Sequence, residues 1–332
     1  MFEVTTVDAH VAGGAVRLIT GGLPRVEASS LGERQQRLTE RAGAALEALA
    51  REPRGSSGVV VVVPAEPDTS DADAGLLFYR SSGPSMPDGS ALIGATALAI
   101  TRGVLAPRTH GTIRYDTTVG RMTATTVALP ASGPLPVRYT GPPASVLRPN
   151  VPLNVGRRDL RADLVWSGTE LVAIVDAEAA GVPLVASRAL ELQRTGLAIL
   201  RHLDEAVRVV HPDTGSRVLV AAAVFIGPAP ESGVDMRSGA VLADGTVEHT
   251  PGGSATTAIA AVLSAMGLLT AGRRVVHQGL RGTTLWATIL AITVVARRPI
   301  VEIEIGGESW PTGDHVFHFD ESDPLLACDW DA

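Results

Sequence analysis

Apolar and polar residues alternate over FEVTTVDAHV at the start of the chain, pause at Gly13-Gly14, and alternate again over AVRLITGG. A period of two sends successive side chains to opposite faces of a strand, so the two runs predict a hairpin. Residues 31–52, LGERQQRLTERAGAALEALARE, change the period: helix formers carry apolar residues at helical spacing. VVVVVPA at 59–65 is a continuous apolar run of strand length, as in a buried strand. From 108 to 140 the chain is rich in Thr and Val between short polar turns and reads as β structure. Residues 133–159, GPLPVRYTGPPASVLRPNVPLNVGRRD, are dense in Pro and Gly and are expected to form a linker. A second cycle follows. DLVWSGTELVAIVDA predicts two strands around Ser167-Gly168, and ELQRTGLAILRHLDEAVR an amphipathic helix. RVLVAAAVFIG predicts a strand, and PIVEIEIGGESW through HVFHFD predicts more.

Two segments break this amphipathic rule. PDGSALIGATALAITRGVL at 87–105 and PGGSATTAIAAVLSAMGLL at 251–269 are helix-length but almost without charge; beyond Asp88 at its start, Arg102 is the single charged residue in the first. A helix that is apolar all round is buried all round. Aligned at an offset of 164 (251 minus 87), the strings share seven of 19 positions, which points to gene duplication. Each half then runs strands, helix, strand, small-residue helix, strands. The expected fold is α/β: two pseudo-symmetric domains, each a sheet wrapped around a central buried helix. The expected bounds are 1–150, with 316–332 returning to the first domain, and 151–315.

The length of 332 residues suits two domains, and 45% hydrophobic with 19% charged residues is ordinary for a globular protein. No apolar run reaches the roughly 18 residues of a membrane helix. MFEVTTVDAH has neither the basic nor the apolar region of a secretory leader, so a cytoplasmic location is expected. The net charge is −7, without a basic stripe, which argues against nucleic acid. All 28 basic residues are Arg. Without Lys there is no Schiff-base chemistry, no pyridoxal phosphate anchor and no Walker-type loop. A single Cys, Cys328, excludes an internal disulfide and a cysteine-rich metal site. No cofactor is implied.

Candidate chemistry gathers at the two buried helix starts. The first N–H groups of a helix lack internal partners and carry positive potential, so they bind anions such as carboxylates. Gly89 and Ser90, and Gly252, Gly253, Ser254 and Ala255, leave these donors uncovered. If a pseudo-twofold axis relates the domains, the two starts meet across a cleft sized for a small carboxylate. The plainer reading is that Asp88, Ser90 or Ser254 caps its own helix. An ionised Asp88 would repel a carboxylate at the first start, so the expected carboxylate site is Gly253-Ser254-Ala255.

DAHVAGGAVRLITGGLP at 8–24 resembles the opening of the proline racemase family, which includes hydroxyproline epimerases and trans-3-hydroxyproline dehydratases. Asp8, His10, Gly13 and Arg17 match its D-x-H-T-x-G-E-P-x-R pattern; Val11, Gly14 and Ala15 do not. VEHTPGGSAT at 247–256 is similar to the family's D-R-S-P-C-G-T-G-T, and GESWPTGDHVFHFDESDP at 307–324 to its C-terminal signature. The resemblance implies a diaminopimelate epimerase-like fold. It also implies two Cys on opposite faces of a substrate α-carbon, one removing a proton and the other delivering one. Here the second Cys position is Gly252, and the internal repeat puts the first at Asp88. A one-residue shift to Pro87 is the alternative, opposed by the pairing of Pro87 with Pro251. The family's His becomes Ser90, and the Asp of its second motif becomes Glu248. Glycine has no proton to give, so two-base racemisation is excluded by chemistry.

The expectation is therefore a cofactor-independent isomerase or lyase. It would act on a small amino- or imino-acid-like molecule by one-base proton transfer: isomerisation, dehydration or cyclisation, in specialised biosynthesis. The alternative is a non-catalytic small-molecule-binding pseudoenzyme of the same fold. Asp88, His249 and Glu248 are the catalytic candidates, with His10 and Asp235 added to the helix-start residues as binding candidates. Arg237, Trp166, Ser167, Gly168, Gln278, Gly279, Gly282 and Thr283 are weaker ones. His315 and His318, three apart on a strand, face opposite sides and do not predict a metal pair. His110, His202, His211 and His277 have no assignable partner. A monomer or homodimer is expected.

Overall fold

The computed structural model describes residues 1–106, 111–126, 133–211, 214–320 and 322–326; Cys328 and His110 lie outside these residues. The chain divides into two units, Met1–Tyr139 with Gly307–Ala332, and Thr140–Gly306.

The first unit contains β1 (Phe2–Val11), β2 (Gly14–Gly21), α1 (Leu31–Leu49), β3 (Val59–Ala65), β4 (Ala74–Arg80), β5 (Gly83–Ser85), α2 (Gly89–Thr101), β6 (Thr112–Thr117), β7 (Gly120–Thr126) and β8 (Leu135–Thr140). The expected hairpin β1–β2 turns at Ala12 and Gly13, both with positive φ. β2 pairs parallel with β3, β3 antiparallel with β4, β4 parallel with β6, and β6 antiparallel with β7. The two faces of this sheet take different helices. Val59, Val61 and Val63 share a core cluster with Leu38, Leu46 and Leu49 of α1. On the other side, α2 runs against β1, β2 and β3. Gly94 lets α2 approach closely, because a Cβ there would stand 2.9 Å from Val16. Every α2 residue from Gly89 to Ala99 is buried, which is why the segment needs no polar face.

The second unit contains β9 (Ser145–Val155), β10 (Arg158–Trp166), β11 (Leu171–Asp176), α3 (Ala177–Ala180), α4 (Ala189–Ala206), β12 (Val209–Val210), β13 (Arg217–Val218), β14 (Val220–Pro228), β15 (Met236–Leu242), β16 (Val247–Glu248), α5 (Gly253–Ala265), β17 (Arg274–Gln278), β18 (Thr284–Val295) and the start of β19 (Arg298–Phe319). Its connectivity repeats the first unit's. β10 and β11 pair antiparallel, β11 and β14 parallel, β14 and β15 antiparallel, β15 and β17 parallel, and β17 and β18 antiparallel. α4 stands where α1 does in the order, and α5 where α2 does. Leu192, Ile199 and Leu203 of α4 join Leu164, Val175, Phe225 and Val241 in the core of this unit.

Two expectations are corrected. Residues 133–159 are not a linker, for β8 and β9 both lie within them. β9 carries Pro149 and Pro152 and pairs only with β10 among the described strands, so its other edge needs no N–H donor. The unit boundary consequently falls after Tyr139 rather than at 150. The return to the first unit begins at Gly307 rather than 316. β19 spans that point without a break, pairing with β18 up to Gly306 and with β1 from Ser309 onward.

Candidate functional site

The internal repeat has a structural counterpart at the two buried helices. Asp88 is the N-cap of α2 and Gly252 the N-cap of α5; both helices have 13 residues, so caps and ends alike (88 to 252, 101 to 265) are 164 apart. The alternative alignment through Pro87 does not match these caps.

At α2, Asp88 is fully engaged. Its Oδ1 accepts from the Ala91 amide at 2.8 Å, and its Oδ2 accepts from Arg80 Nη2 at 2.7 Å. The ion pair is mostly buried, with side chains 17% and 15% exposed. Gly89 lies under Tyr139, whose hydroxyl is 1.8 Å from where a Cβ on Gly89 would stand. Only glycine admits that ring. Ser90 is buried, and its Oγ has no hydrogen-bond partner among the described residues.

At α5 the cap is bare. Gly252 has φ 66° and ψ 141°, a conformation reserved for glycine, and offers no capping side chain. Glu248, on β16, sends its carboxylate toward the gap. Oε2 is 2.9 Å from where a Cβ on Gly252 would stand. A polar chain approaches from the β10–β11 turn, where Ser167 Oγ lies 3.2 Å from Thr169 Oγ1, which lies 3.4 Å from Ser254 Oγ. The loop 249–251 rests on Gly279, whose Cβ would stand 2.7 Å from the His249 carbonyl oxygen. The Arg281 amide donates to that same oxygen at 3.1 Å. Burial, and then the nearby Arg281 charge, push the His249 ring below the usual histidine range, so it is neutral at physiological pH.

Behind the α5 start lies a buried histidine. His277, on β17, is fully buried. Its Nε2 is 2.7 Å from Ser238 Oγ on β15, and its Nδ1 is 2.8 Å from Thr256 Oγ1 on α5. Thr256 Oγ1 in turn donates to the Gly252 carbonyl at 2.6 Å. Burial pushes the ring down to about 3.

The remaining sequence candidates make contacts of their own. Asp235 accepts from the Val276 amide at 2.7 Å, closing the junction of β15 with β17. Arg237 donates to the Leu280 carbonyl at 3.2 Å. His10 stacks on Trp310, ring centroids 6.5 Å apart. The motif pair Asp8 and Arg17 forms a buried salt bridge at 2.7 Å, and Arg17 also donates to the carbonyls of Leu49 and Arg54. Trp166 meets His211 edge-on at 4.5 Å. His315 contacts Asp8 and His318 contacts Glu3. No group of three or more potential metal ligands occurs among the described residues. No helix among them is long and apolar enough to cross a membrane.

Arg80, Tyr139, Thr169 and Ser238 were missed from the sequence, and the partners of Thr256 and His277 could not be read from it. An Arg eight residues before a cap, or a His 21 residues from a Thr, carries no local pattern. The available hint was Thr256 itself, a hydroxyl four residues after the cap on a helix without charge.

A family model described as proline racemase matches residues 6–328. The trans-3-hydroxy-L-proline dehydratase of Bacillus cereus is 27% identical over 322 residues, 97% of this chain and 96% of that protein. The proline racemase of Clostridioides difficile is 27% identical over 334 residues, with 97% and 96% covered. The crystal structure of a hydroxyproline epimerase from Agrobacterium vitis, solved with bound trans-4-hydroxy-L-proline, superposes with a TM-score of 0.85. It is 22% identical and covers 96% of this chain and 94% of its own.

Proposed function

The chain belongs to the proline racemase family, and from that premise we propose a cofactor-independent lyase or isomerase that moves one proton on a small imino acid. Glu248 is its acid–base group. The observation that carries this reading is the carboxylate of Glu248 beside Gly252, in the space a side chain at 252 would enter. No thiol stands at either cap. Asp88 has both oxygens committed to Ala91 and Arg80, which supports a capping role in place of the proton transfer expected from the sequence.

The backbone amides of Gly253, Ser254 and Ala255 have no acceptor within α5. They are suited to the substrate carboxylate and to the negative charge that spreads onto it when the α-proton leaves. Glu248 takes that proton and becomes a carboxylic acid. The same proton then leaves with a hydroxyl on the neighbouring carbon as water, and the electron pair of the broken C–H bond forms the new double bond. One group suffices for elimination, whereas inversion needs a second donor on the opposite face. A β-hydroxylated imino acid such as trans-3-hydroxy-L-proline is therefore the preferred substrate.

The test incubates the protein in deuterium oxide with L-proline, trans-4-hydroxy-L-proline and trans-3-hydroxy-L-proline, followed by NMR and mass spectrometry. The expected result is loss of water from the 3-hydroxy acid, with Glu248→Gln slower by about 100-fold or more. Equal rates in Glu248→Gln would remove Glu248 as the base. No turnover or α-deuteration with any of the three would remove the enzyme reading and leave the non-catalytic one.

A further inference from the structure

The two matching helix starts are held in different ways. At α2 the cap residue does its own work through the Asp88 side chain. At α5 the cap has no side chain, yet Gly252 keeps a left-handed conformation on which the direction of the following amides depends.

The protons of the buried chain behind α5 can be assigned one by one. The Thr256 hydroxyl has a single proton and gives it to the Gly252 carbonyl, which accepts the Thr256 amide as well at 3.1 Å. Thr256 Oγ1 therefore accepts from His277, which fixes the ring proton on Nδ1. Nε2 is then the acceptor, and Ser238 Oγ donates to it. A hydroxyl bonding back to the carbonyl four residues earlier is common in helices. A fully buried histidine clamping that hydroxyl to the sheet is not. The corresponding position in the first repeat, 92, is Leu and carries no hydroxyl. The clamp belongs to the α5 start alone.

We infer that His277 is a positioning residue: through Thr256 and the Gly252 carbonyl it orients the Gly253, Ser254 and Ala255 amides toward the substrate carboxylate. This rests on the proposed use of those amides. The ring stays neutral across the working pH range, so the clamp contributes geometry without charge.

The variants are Thr256→Val, which keeps the shape and removes the hydroxyl, His277→Phe, Ser238→Ala, and Thr256→Ser as the conservative control. The readouts on the full chain are amide deuterium exchange of 252–257, binding of L-proline by calorimetry, and the KM and kcat of dehydration. L-proline has the carboxylate but no hydroxyl to lose. In Thr256→Val and His277→Phe, exchange at 256 and 257, the first bonded amides of α5, is expected to rise about 10-fold, the worth of one hydrogen bond, against unchanged exchange in β10 and β11. L-proline binding weakens and KM rises by a similar factor of about 10, kcat falls as well because the same amides take up the charge that develops in the transition state, and Thr256→Ser recovers most of each. A smaller rise in Ser238→Ala, at the far end of the chain, also supports the inference. Unchanged exchange and binding would overturn it. So would faster exchange everywhere together with a lower melting temperature, which marks His277 as general core. If the wild type binds no L-proline and turns over none of the three imino acids, the proposed function has failed. Local exchange then decides whether His277 orders this helix start.

Discussion

Two cap residues at matching positions show how differently one backbone site can be used. Asp88 is held by an amide and a guanidinium; Gly252 leaves its space to a carboxylate from another strand. Asn caps helices about as well as Asp, so Asp88→Asn isolates the ion pair with Arg80. The variant is expected to lose about 1.5–3 kcal/mol of stability in urea, the range for a hydrogen bond to a charged group. A loss of turnover at unchanged stability would return Asp88 to the role of base. The vacancy at Gly252 was legible from the sequence, since a missing side chain cannot donate a proton. The filling of that vacancy was not. Glu248 is four residues away, and whether its carboxylate turns toward the cap depends on how β16 leads into the loop.

At the scale of elements, the chargeless helices were readable because burial on all sides leaves no reason for a polar stripe. α2 accordingly holds a glycine, Gly94, where Val16 of β2 comes close. The same device appears on the amphipathic helix α4. A Cβ at Gly196 would stand 2.5–2.9 Å from the side-chain carbons of Val241 on β15. Gly196→Ala ordinarily gains helix propensity, worth about 1 kcal/mol at an exposed site. Here overpacking against a buried β-branched residue outweighs it, and a net loss of about 1–2 kcal/mol by chemical denaturation is expected. A net gain would show that α4 can slide on its sheet. The segment 133–159 misled because proline density marks linkers and edge strands alike. β9 pairs with β10 just across a tight turn, but the partner of β8 is the middle of β19, supplied from far along the chain.

Across the whole molecule, the repeated connectivity of the two units is a stronger sign of duplication than seven matched residues. Parallel and antiparallel pairings recur in the same order, and the two inner helices have equal length. Stability of the whole chain also carries the mark of a single buried group. His277 titrates near 3 when folded and near 6.5 when exposed, so the unfolded chain binds the extra proton between those values. Stability contributed by the neutral ring is fully present above about pH 6.5 and is lost as the pH falls toward 3, with a slope approaching about 1.4 kcal/mol per pH unit. Urea unfolding between pH 7.5 and 4.5 measures this. His277→Phe is expected to start less stable and to show a shallower decline, the residue left by His249 and the carboxylates. Parallel declines in the two proteins would place the acid sensitivity elsewhere.

The sequence by itself determined the periodicities, the two buried helices with their 164-residue spacing, and the absence of thiol and amine chemistry at the helix starts. These are local or compositional properties, set by which side chains the chain possesses. The tertiary structure alone decided the unit boundary, the pairing of β8 with β19 and the chain from Ser238 through His277 to Gly252. Each of these depends on residues distant in sequence meeting at hydrogen-bond distance, and such a meeting is fixed by strand pairing and helix packing.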